Sequence, residues 1–550
     1  MTRRDLSLPE VLFAALGGVA LAIVMSWPLA LHLGSEIGKD LGDPLGQAWQ
    51  VAWIGHALVT SPLELWQANT FWPDDDTLAF SDALIGYAPV GVLAQASPHA
   101  ALVGYNALFL FAYALAFAGA YLLARELGTG WLGAAVAGAA FAYAPWKLTQ
   151  NGHLHVLSSG GIPLALFLLV RGYRRRSRWT VLAGWLVAAW QMSLGFTLGL
   201  QLFYLLVVLA LGLGLALWRR WLPLPDRDVL VATAAGAAIF LVATGLMARP
   251  YLRVLDAHPE AQRTPAYVET FSPRLRSFLA APEESWLLGD ATLRARAPLP
   301  APDEMSLFPG FAIGLLALVG ALGSVFPRRL RSGLVVGTAT CAILSLGVRD
   351  VDGLGRYVTP YRFLFDFVPG WDGVRAPGRI NTLTSLGLAL LAGAGLCVVV
   401  RGLRGRAPTV AVAAGVLGIG VVLVEGLGPL THPGVTPPPA AVRAEPAPQI
   451  HLPPQDSLYS YWSTAGFPKI VNGFGGFDPS AYDRLRNEVA GFPDAQSVDA
   501  LREVGVRTVL FHPEFAPGTV WEDALAKSTA GLGLERRQVG DVTVFRVRPS

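Results

Sequence analysis

Charged residues are scarce in this chain of 550 residues. Asp, Glu, Lys and Arg together make up 15% of it, whereas hydrophobic residues make up 53%, and the mean hydropathy is +0.46. Ordinary soluble domains carry roughly 25% charged residues. The composition therefore excludes an ordinary soluble protein and predicts a mainly α, polytopic membrane protein.

Cysteine is nearly absent, and basic runs that would bind nucleic acid are missing. The two cysteines, Cys341 and Cys397, lie within apolar stretches, which excludes a disulfide scaffold. Each short basic cluster follows an apolar stretch, so we predict no nucleic-acid partner. A small-residue cleavage site is also lacking after Arg3 and Arg4, and residues 11–33 are long for a signal peptide. We therefore expect a retained anchor at 11–33.

Long apolar runs, by contrast, are abundant. A transmembrane helix needs about 20 predominantly apolar residues, and about eleven segments approach this length, some of them short. Two further stretches, 45–59 and 83–96, are apolar on one face and are predicted as helices along the membrane surface. The predicted spans are 11–33, 100–124, 131–144, 162–170, 179–192, 195–218, 229–247, 307–326, 334–348, 380–400 and 410–430.

The segments between the spans are of two alternating kinds. The segments of the other kind are mostly long; they include 34–99, 248–305, 349–379 and the tail from residue 431, and they hold most of the acidic, histidine and proline residues. Because short arginine-rich segments stay in the cytoplasm, we expect a cytoplasmic N-terminus and long segments that face outward. The arginine-rich segments are 1–9, 125–130, 171–178, 219–227, 327–331 and 401–406.

The composition also predicts three domains. Residues 1–430 form the transmembrane domain, with 34–99 as its first outer loop, and the Pro- and Ala-rich residues 431–456 form a linker. Residues 457–550 form a small extracytoplasmic α/β domain. In it we predict helices at 481–489 and 497–504 and strands at 506–511 and 539–547.

The first outer loop contains two acids directly after the first span, Asp40 and Asp43. Either could serve as a general base in a site dry enough to raise its basicity. Alternatively, they are solvated acids in a turn formed by Gly42 and Pro44. Four tryptophans share this loop, which is typical of a bilayer surface; they are Trp49, Trp53, Trp66 and Trp72.

A second acidic group follows in the same loop. Asp74, Asp75 and Asp76 could offer oxygen ligands to a divalent cation, but a solvated acidic turn after Pro73 fits them better. Asp82 precedes an apolar stretch and is expected in the first turn of a helix, and it is also one of the predicted substrate-binding residues. The sequence identifies no cofactor with certainty, and a divalent cation is the candidate that these acids allow.

The loop after the third span is rich in polar residues. A zinc site would need ligands beyond its two histidines, at a spacing that the sequence lacks. The alternative to a binding role is a set of polar residues at the membrane face. Our hypothesis is that five of its residues line a sugar or phosphate pocket: Lys147, Gln150, Asn151, His153 and His155.

The loop before the tenth span contributes two arginines, Arg375 and Arg379, on the predicted outer side. A guanidinium group binds phosphate through two parallel hydrogen bonds and stays charged, so we expect these residues to bind a phosphate. Snorkelling to the interface is the alternative. Glu304 lies on the same side, either as a site residue or as an ordinary helix-start acid.

Several phrases, taken in order, resemble a known superfamily. They are GDPLGQAW, NTFWPDDDTLAFSD, GHLHVLSSGGIPL, EMSLFPG and VRAPGRINTLTSLGLALLAGAG, followed in the tail by STAGFPKIVNGFGGFDPSAYDRL and FPDAQSVDALREVGVRTVLFH. The pattern is similar to that of GT-C-type membrane glycosyltransferases, and most of all to the bacterial YfhO-like set that depends on polyprenyl-phosphate sugars.

This resemblance implies a hexosyl or pentosyl transferase that moves a sugar from a polyprenyl-phosphate donor to a cell-envelope glycan or lipid on the outer face. The family's usual base is an acid in the first outer loop, a position that Asp43 matches best and Asp40 next. The family often has two adjacent acids there, whereas these two are three apart, so the choice stays open. Arg375 and Arg379 match the family's R-x-P-x-R phrase, which implies a role at the donor phosphate.

Two other classes of protein remain as alternatives. A transporter or flippase would carry ionisable residues in the middle of its spans, where each costs about 3 kcal/mol, and almost none are present. A non-catalytic assembly protein would bind a cell-envelope polymer through its tail, and the sequence does not exclude it.

Overall fold

The structure, a computed structural model, describes residues 6–350, 353, 359–404 and 407–549. The chain divides into two compact units. Arg3, Arg4 and Arg406, which belong to predicted basic segments, lie outside the described residues. The first unit comprises Met1–Pro28, Leu108–Met247 and Arg263–Leu430, and the second comprises Leu29–Ala107, Ala248–Gln262 and Thr431–Ser550.

Every predicted span overlaps a helix. Within the described ranges, seven helices are long and apolar enough to cross a membrane: Leu8–Met25, Pro98–Leu127, Leu154–Arg175, Phe196–Trp218, Arg227–Ala257, Pro377–Leu403 and Pro408–Glu425. Shorter helices occupy the remaining predicted spans: Trp131–Tyr143, Arg178–Met192, Phe311–Leu322 and Arg328–Leu344. The chain is therefore a mainly α, multi-pass membrane protein.

Two helix ends differ from the predicted span ends. The first helix ends at Met25 rather than at residue 33, because Pro28 lacks an N–H group and disfavours the helical conformation of the residue before it. The helix predicted to end at 247 continues to Ala257 and contains Pro250. The apolar pattern locates the hydrophobic part of each helix, whereas its ends depend on local backbone chemistry.

Helix Asn381–Arg404 packs closely against two neighbours in the first unit. A Cβ atom at Gly395 would lie 1.9 Å from the carbonyl oxygen of Leu316, and one at Gly393 would lie 2.4 Å from that of Gly133. Small residues allow helix backbones to approach this closely in membranes. These glycines therefore determine how near helices Trp131–Tyr143 and Phe311–Leu322 can lie to the central helix.

We expect Gly395→Ala to destabilise the protein by about 1–3 kcal/mol, because the added methyl group must push the backbone of Leu316 away. Gly402→Ala is the matched control on the same helix, since a Cβ atom there meets nothing within 4 Å. The control should be neutral or stabilising by up to about 1 kcal/mol. Thermal unfolding in detergent measures both, and equal melting temperatures for the two variants would contradict the packing argument.

The second unit contains a four-stranded sheet. Its strands are β1 (Gln449–Leu452), β2 (Thr508–Phe511), β3 (Leu534–Val539) and β4 (Val542–Val547), in the spatial order β1-β2-β4-β3. β1 pairs parallel with β2, and the other two pairs are antiparallel. Helices Ser480–Glu488 and Ala495–Val504 agree closely with the helices predicted at 481–489 and 497–504. β1 lies within residues 431–456, which were predicted to form a linker. The sequence did not indicate this strand because it is only four residues long and has a proline on either side.

Much of the predicted first outer loop belongs to this second unit. The backbone of Ile37 donates to Pro433 and that of Lys39 to Thr431, so residues of the predicted linker pair with the loop. Helix Asp43–Thr60 is buried along most of its length, so the prediction of a surface helix at 45–59 is wrong. The stretch 83–96 forms two short helices, Ile85–Tyr87 and Ala88–Ala94.

The four tryptophans of the loop belong to the second unit, where two are buried and two are half-buried, although their pattern suggested a bilayer surface. Trp49 and Trp53 are buried, and their indole N–H groups donate to Asn69 Oδ1 at 2.9 Å and to the Leu65 carbonyl at 3.0 Å. Trp72 donates to the Val504 carbonyl. The N–H group of an indole finds a hydrogen-bond partner either at a membrane interface or, as here, at an acceptor inside the protein.

Candidate functional site

Arg379 joins three segments of the first unit. Its Nε and Nη2 groups donate to Glu304 Oε2 at 3.2 Å and Oε1 at 2.5 Å, and its Nη1 group lies 3.0 Å from His155 Nε2. Arg379 and Glu304 are both buried. Each lies in a short helical segment that begins with a proline, Pro377–Ile380 and Pro302–Met305, where proline is favoured.

The two histidines of the predicted pocket have different partners. Because a guanidinium group can only donate, His155 must accept through Nε2, which requires a neutral ring with its proton on Nδ1. His153 Nδ1 lies 3.1 Å from Gln150 Oε1, which can only accept, so His153 donates. The two rings are 5.6 Å apart, edge to face. The polar loop is thereby attached to Arg379.

The buried carboxylate of Glu304 remains ionised. Burial alone would raise the pKa of Glu304, but the charge of Arg379, assisted by His153 and Arg375, outweighs burial and lowers the pKa to about 2. Arg375 Nη2 lies 3.7 Å from Glu304 Oε1. Glu304 thus orients both arginines.

Lys147 is enclosed in the same loop, in segment Pro145–Gly152. Its ammonium group donates to Ser159 Oγ at 2.9 Å and lies 5.1 Å and 5.5 Å from the ring centroids of Phe141 and Trp146. Burial lowers the pKa of Lys147 to about 7, so the group exchanges its proton near neutral pH. A lysine in this state suits an anionic or proton-donating partner.

Asn151 borders a small cavity of about 20 Å³ in the first unit, whose lining is mostly apolar. Tyr113 donates to Asn151 Oδ1 at 2.5 Å, and its ring stacks on that of Tyr143 with a centroid separation of 5.2 Å. A cavity of this size accommodates a single water molecule or hydroxyl group. The structure thus gives Asn151 a defined local environment.

The predicted acids Asp40, Asp43 and Asp82 belong to the second unit. The exposed Asp40 accepts the backbone N–H of Gly42 through Oδ1 at 2.8 Å, so it forms an Asx turn. Asp43 is half-buried and begins helix Asp43–Thr60, where the helix dipole favours an ionised carboxylate. Asp82 does not lie in the first turn of a helix, so that expectation is wrong. The residue after it, Ala83, donates its backbone N–H to the Tyr251 hydroxyl.

The three acids after Pro73 are not all exposed to solvent, as the predicted solvated turn would require. Asp75 is exposed, but Asp76 is buried, and its two oxygens each accept a hydrogen bond of 2.6 Å from Arg253. The prediction of a solvated acid is therefore wrong for Asp76, whose partner lies far away in sequence. In the described part of the chain, no group of three histidine, cysteine or acidic residues is arranged to hold a metal ion.

The structure thus brings six predicted residues into one connected cluster: Gln150, His153, His155, Glu304, Arg375 and Arg379. That Asp43 works together with Arg375 stays a prediction. Sequence reasoning missed Ser385, which accepts from the Trp146 indole at 2.7 Å and fixes the polar loop to helix Asn381–Arg404.

No protein-family model matches the chain, and no curated protein matches it in sequence. Among solved structures, the arabinofuranosyltransferase AftD from mycobacteria matches 100% of this chain with a TM-score of 0.62 and 15% identity. The match to the apo oligosaccharyltransferase of Archaeoglobus fulgidus covers 94% of this chain and 71% of the oligosaccharyltransferase chain, with a TM-score of 0.52 and 14% identity. The chain spans only 40% of AftD. These likenesses establish that the chain has the GT-C fold.

Proposed function

We propose that this protein is a membrane glycosyltransferase that moves a sugar from a polyprenyl-phosphate donor to a cell-envelope glycan or lipid on the outer face of the membrane. The observation that carries the proposal is a GT-C fold shared, over nearly the whole chain, with two proteins named as glycosyl or oligosaccharyl transferases. The outward orientation follows from the distribution of arginine between the spans.

The proposed reaction is a single displacement. Asp43 takes the proton from an acceptor hydroxyl group, whose oxygen forms a bond to the anomeric carbon while the bond to the phosphate oxygen breaks. The configuration inverts, and the leaving polyprenyl phosphate keeps the electron pair. Its charge is stabilised by Arg375 and by the field of Arg379. The ion pairs to Glu304 support this assignment because they fix both guanidinium groups before the substrate binds.

We expect Asp43→Asn to lower turnover by about 100-fold or more while donor affinity stays nearly constant, because an amide cannot accept the proton. The assay follows label from a panel of polyprenyl-phosphate sugars with purified protein. Asp40→Asn is the matched control, since Asp40 serves a turn. Unchanged turnover in Asp43→Asn would remove this residue from its role. If wild-type protein transfers no label from any donor, the enzyme assignment itself fails and the assembly role gains support.

A further inference from the structure

The small cavity beside Asn151 lies where three apolar helices of the first unit end. Helices Leu8–Met25, Trp131–Tyr143 and Pro408–Glu425 each contribute their last residue, or the residue directly after it, to the lining. The first of these helices has 18 residues and is therefore about 27 Å long, which is close to the thickness of the hydrocarbon core of a bilayer. The cavity consequently lies at the level of a membrane surface, where lipid head groups begin.

One side chain of the lining has a hydroxyl group without a hydrogen-bond partner. Tyr143 is only 4% exposed, and within the described part of the chain no group hydrogen-bonds to its hydroxyl. Its ring lies parallel to that of Tyr113, whose hydroxyl donates to Asn151 Oδ1 and can still accept through its oxygen. Tyr143 therefore offers a donor and Tyr113 an acceptor, which are the two partners that a bound hydroxyl group needs.

The charge of the surroundings favours a neutral ligand over an anion. The described residues that line the cavity include no charged side chain. The carbonyl groups at the end of a helix carry a partial negative charge, and three such ends meet here. A phosphate or carboxylate is disfavoured in this field, whereas an O–H group that donates a hydrogen bond is favoured.

The accessible side of the cavity is apolar. Three half-buried lining residues, Met25, Leu148 and Leu430, form what we call the mouth of the cavity. Val24 and Trp27, on either side of Met25 in the chain, are 66% and 59% exposed. Exposed apolar surface of this kind marks contact with a membrane. A hydroxyl group carried by a lipid fits both parts of the site, because its polar end enters the cavity and its chains remain at the mouth.

We propose that this cavity binds the hydroxyl head group of a neutral lipid. Tyr143 donates a hydrogen bond to the lipid oxygen, and Tyr113 accepts one from the lipid hydroxyl. The cavity shares no lining residue with the Arg379 cluster, and it has no part in the proposed displacement reaction. The lipid contacts the ends of both the first and the last long membrane helix, so its binding should stabilise their packing.

Photolabelling of the full-length protein in phosphatidylcholine nanodiscs tests the site. The probe is a diacylglycerol with a diazirine group on one acyl chain, and mass spectrometry identifies the labelled residues. We expect label at the mouth in wild-type protein and about tenfold less in Tyr143→Phe, which keeps the ring and removes only the hydroxyl. Tyr173→Phe is the matched control and should be labelled like wild type, because the Tyr173 hydroxyl pairs with Thr233 away from the cavity.

Competition in wild-type protein separates a lipid hydroxyl from a water molecule and does not depend on the folding of a variant. Unlabelled dioleoylglycerol should suppress the label, whereas its methyl ether should compete about tenfold more weakly, because a cavity of about 20 Å³ has no room for the added methyl group. Equal competition by the two lipids, or unchanged labelling of Tyr143→Phe, would overturn the proposal. Absence of label at the mouth would also overturn it and would assign the cavity to water. Because no sugar is transferred, this result is separate from the test of Asp43.

Discussion

Replacing Glu304 with alanine should destabilise the protein by about 3–5 kcal/mol, which is the largest effect that we expect from a single substitution. The substitution leaves Arg379 buried without its carboxylate partner and removes the ion pair of Arg375. An unpaired buried charge costs far more than the loss of an exposed pair. Thermal or chemical unfolding in detergent measures the loss.

Two comparisons separate this explanation from a general effect of truncation. Asp366→Ala breaks the Arg362–Asp366 pair, whose side chains are each 31% exposed, and should cost no more than about 1 kcal/mol. Glu304→Ala combined with Arg379→Met should recover much of the lost stability, because no buried charge then lacks a partner. A double variant no more stable than Glu304→Ala would contradict the ion-pair account.

Acidification should destabilise the sheet of the second unit through a buried histidine pair. His451 Nδ1 and His512 Nε2 are 3.0 Å apart, the two rings are stacked, and Tyr459 stacks on both. Burial lowers the pKa of His512 to about 3, and burial together with His512 lowers the pKa of His451 well below its ordinary value. Both rings are therefore neutral in the folded protein.

The sign of the effect follows from proton binding. Below pH about 6.5 the unfolded chain binds protons that the folded rings do not, so stability is fully present above that pH and falls as the pH decreases. Each histidine contributes about 1.4 kcal/mol per pH unit, which gives about 4 kcal/mol for the pair at pH 5. Hydrogen exchange of β1 and β2 in the full chain, corrected for intrinsic rates, measures this loss.

A variant isolates the contribution of the pair from that of other groups. Asp456, which accepts from Tyr482 at 2.6 Å, titrates with the opposite sign because burial raises its pKa. His512→Gln removes one titrating ring and should reduce the pH slope by about half, whereas the exposed-site variant His99→Gln should leave it unchanged. A slope that is the same in wild type and His512→Gln would contradict this assignment.

The membrane character of the chain and the location of its helices could be predicted from the sequence. Apolar runs at 100–124, 195–218 and 380–400 correspond to helices, because burial in a bilayer requires continuous apolar surface whatever the neighbours are. Strands at 506–511 and 539–547 were also found from local patterns. Four-residue β1 was not, since its strand character comes from pairing with β2 and not from its own residues.

The partners of polar side chains, in contrast, were decided only by tertiary structure. Arg379 and Glu304 were correctly placed among the candidates, but nothing local to either says that they bind each other and His155. Asp76 was predicted to be one of three solvated acids, but in the folded protein it accepts two hydrogen bonds from Arg253, which is distant in the chain. Hydrophobicity is a property of a segment and is therefore readable from the segment alone. An ion pair is a property of two segments, and only the folded chain brings them within reach of each other.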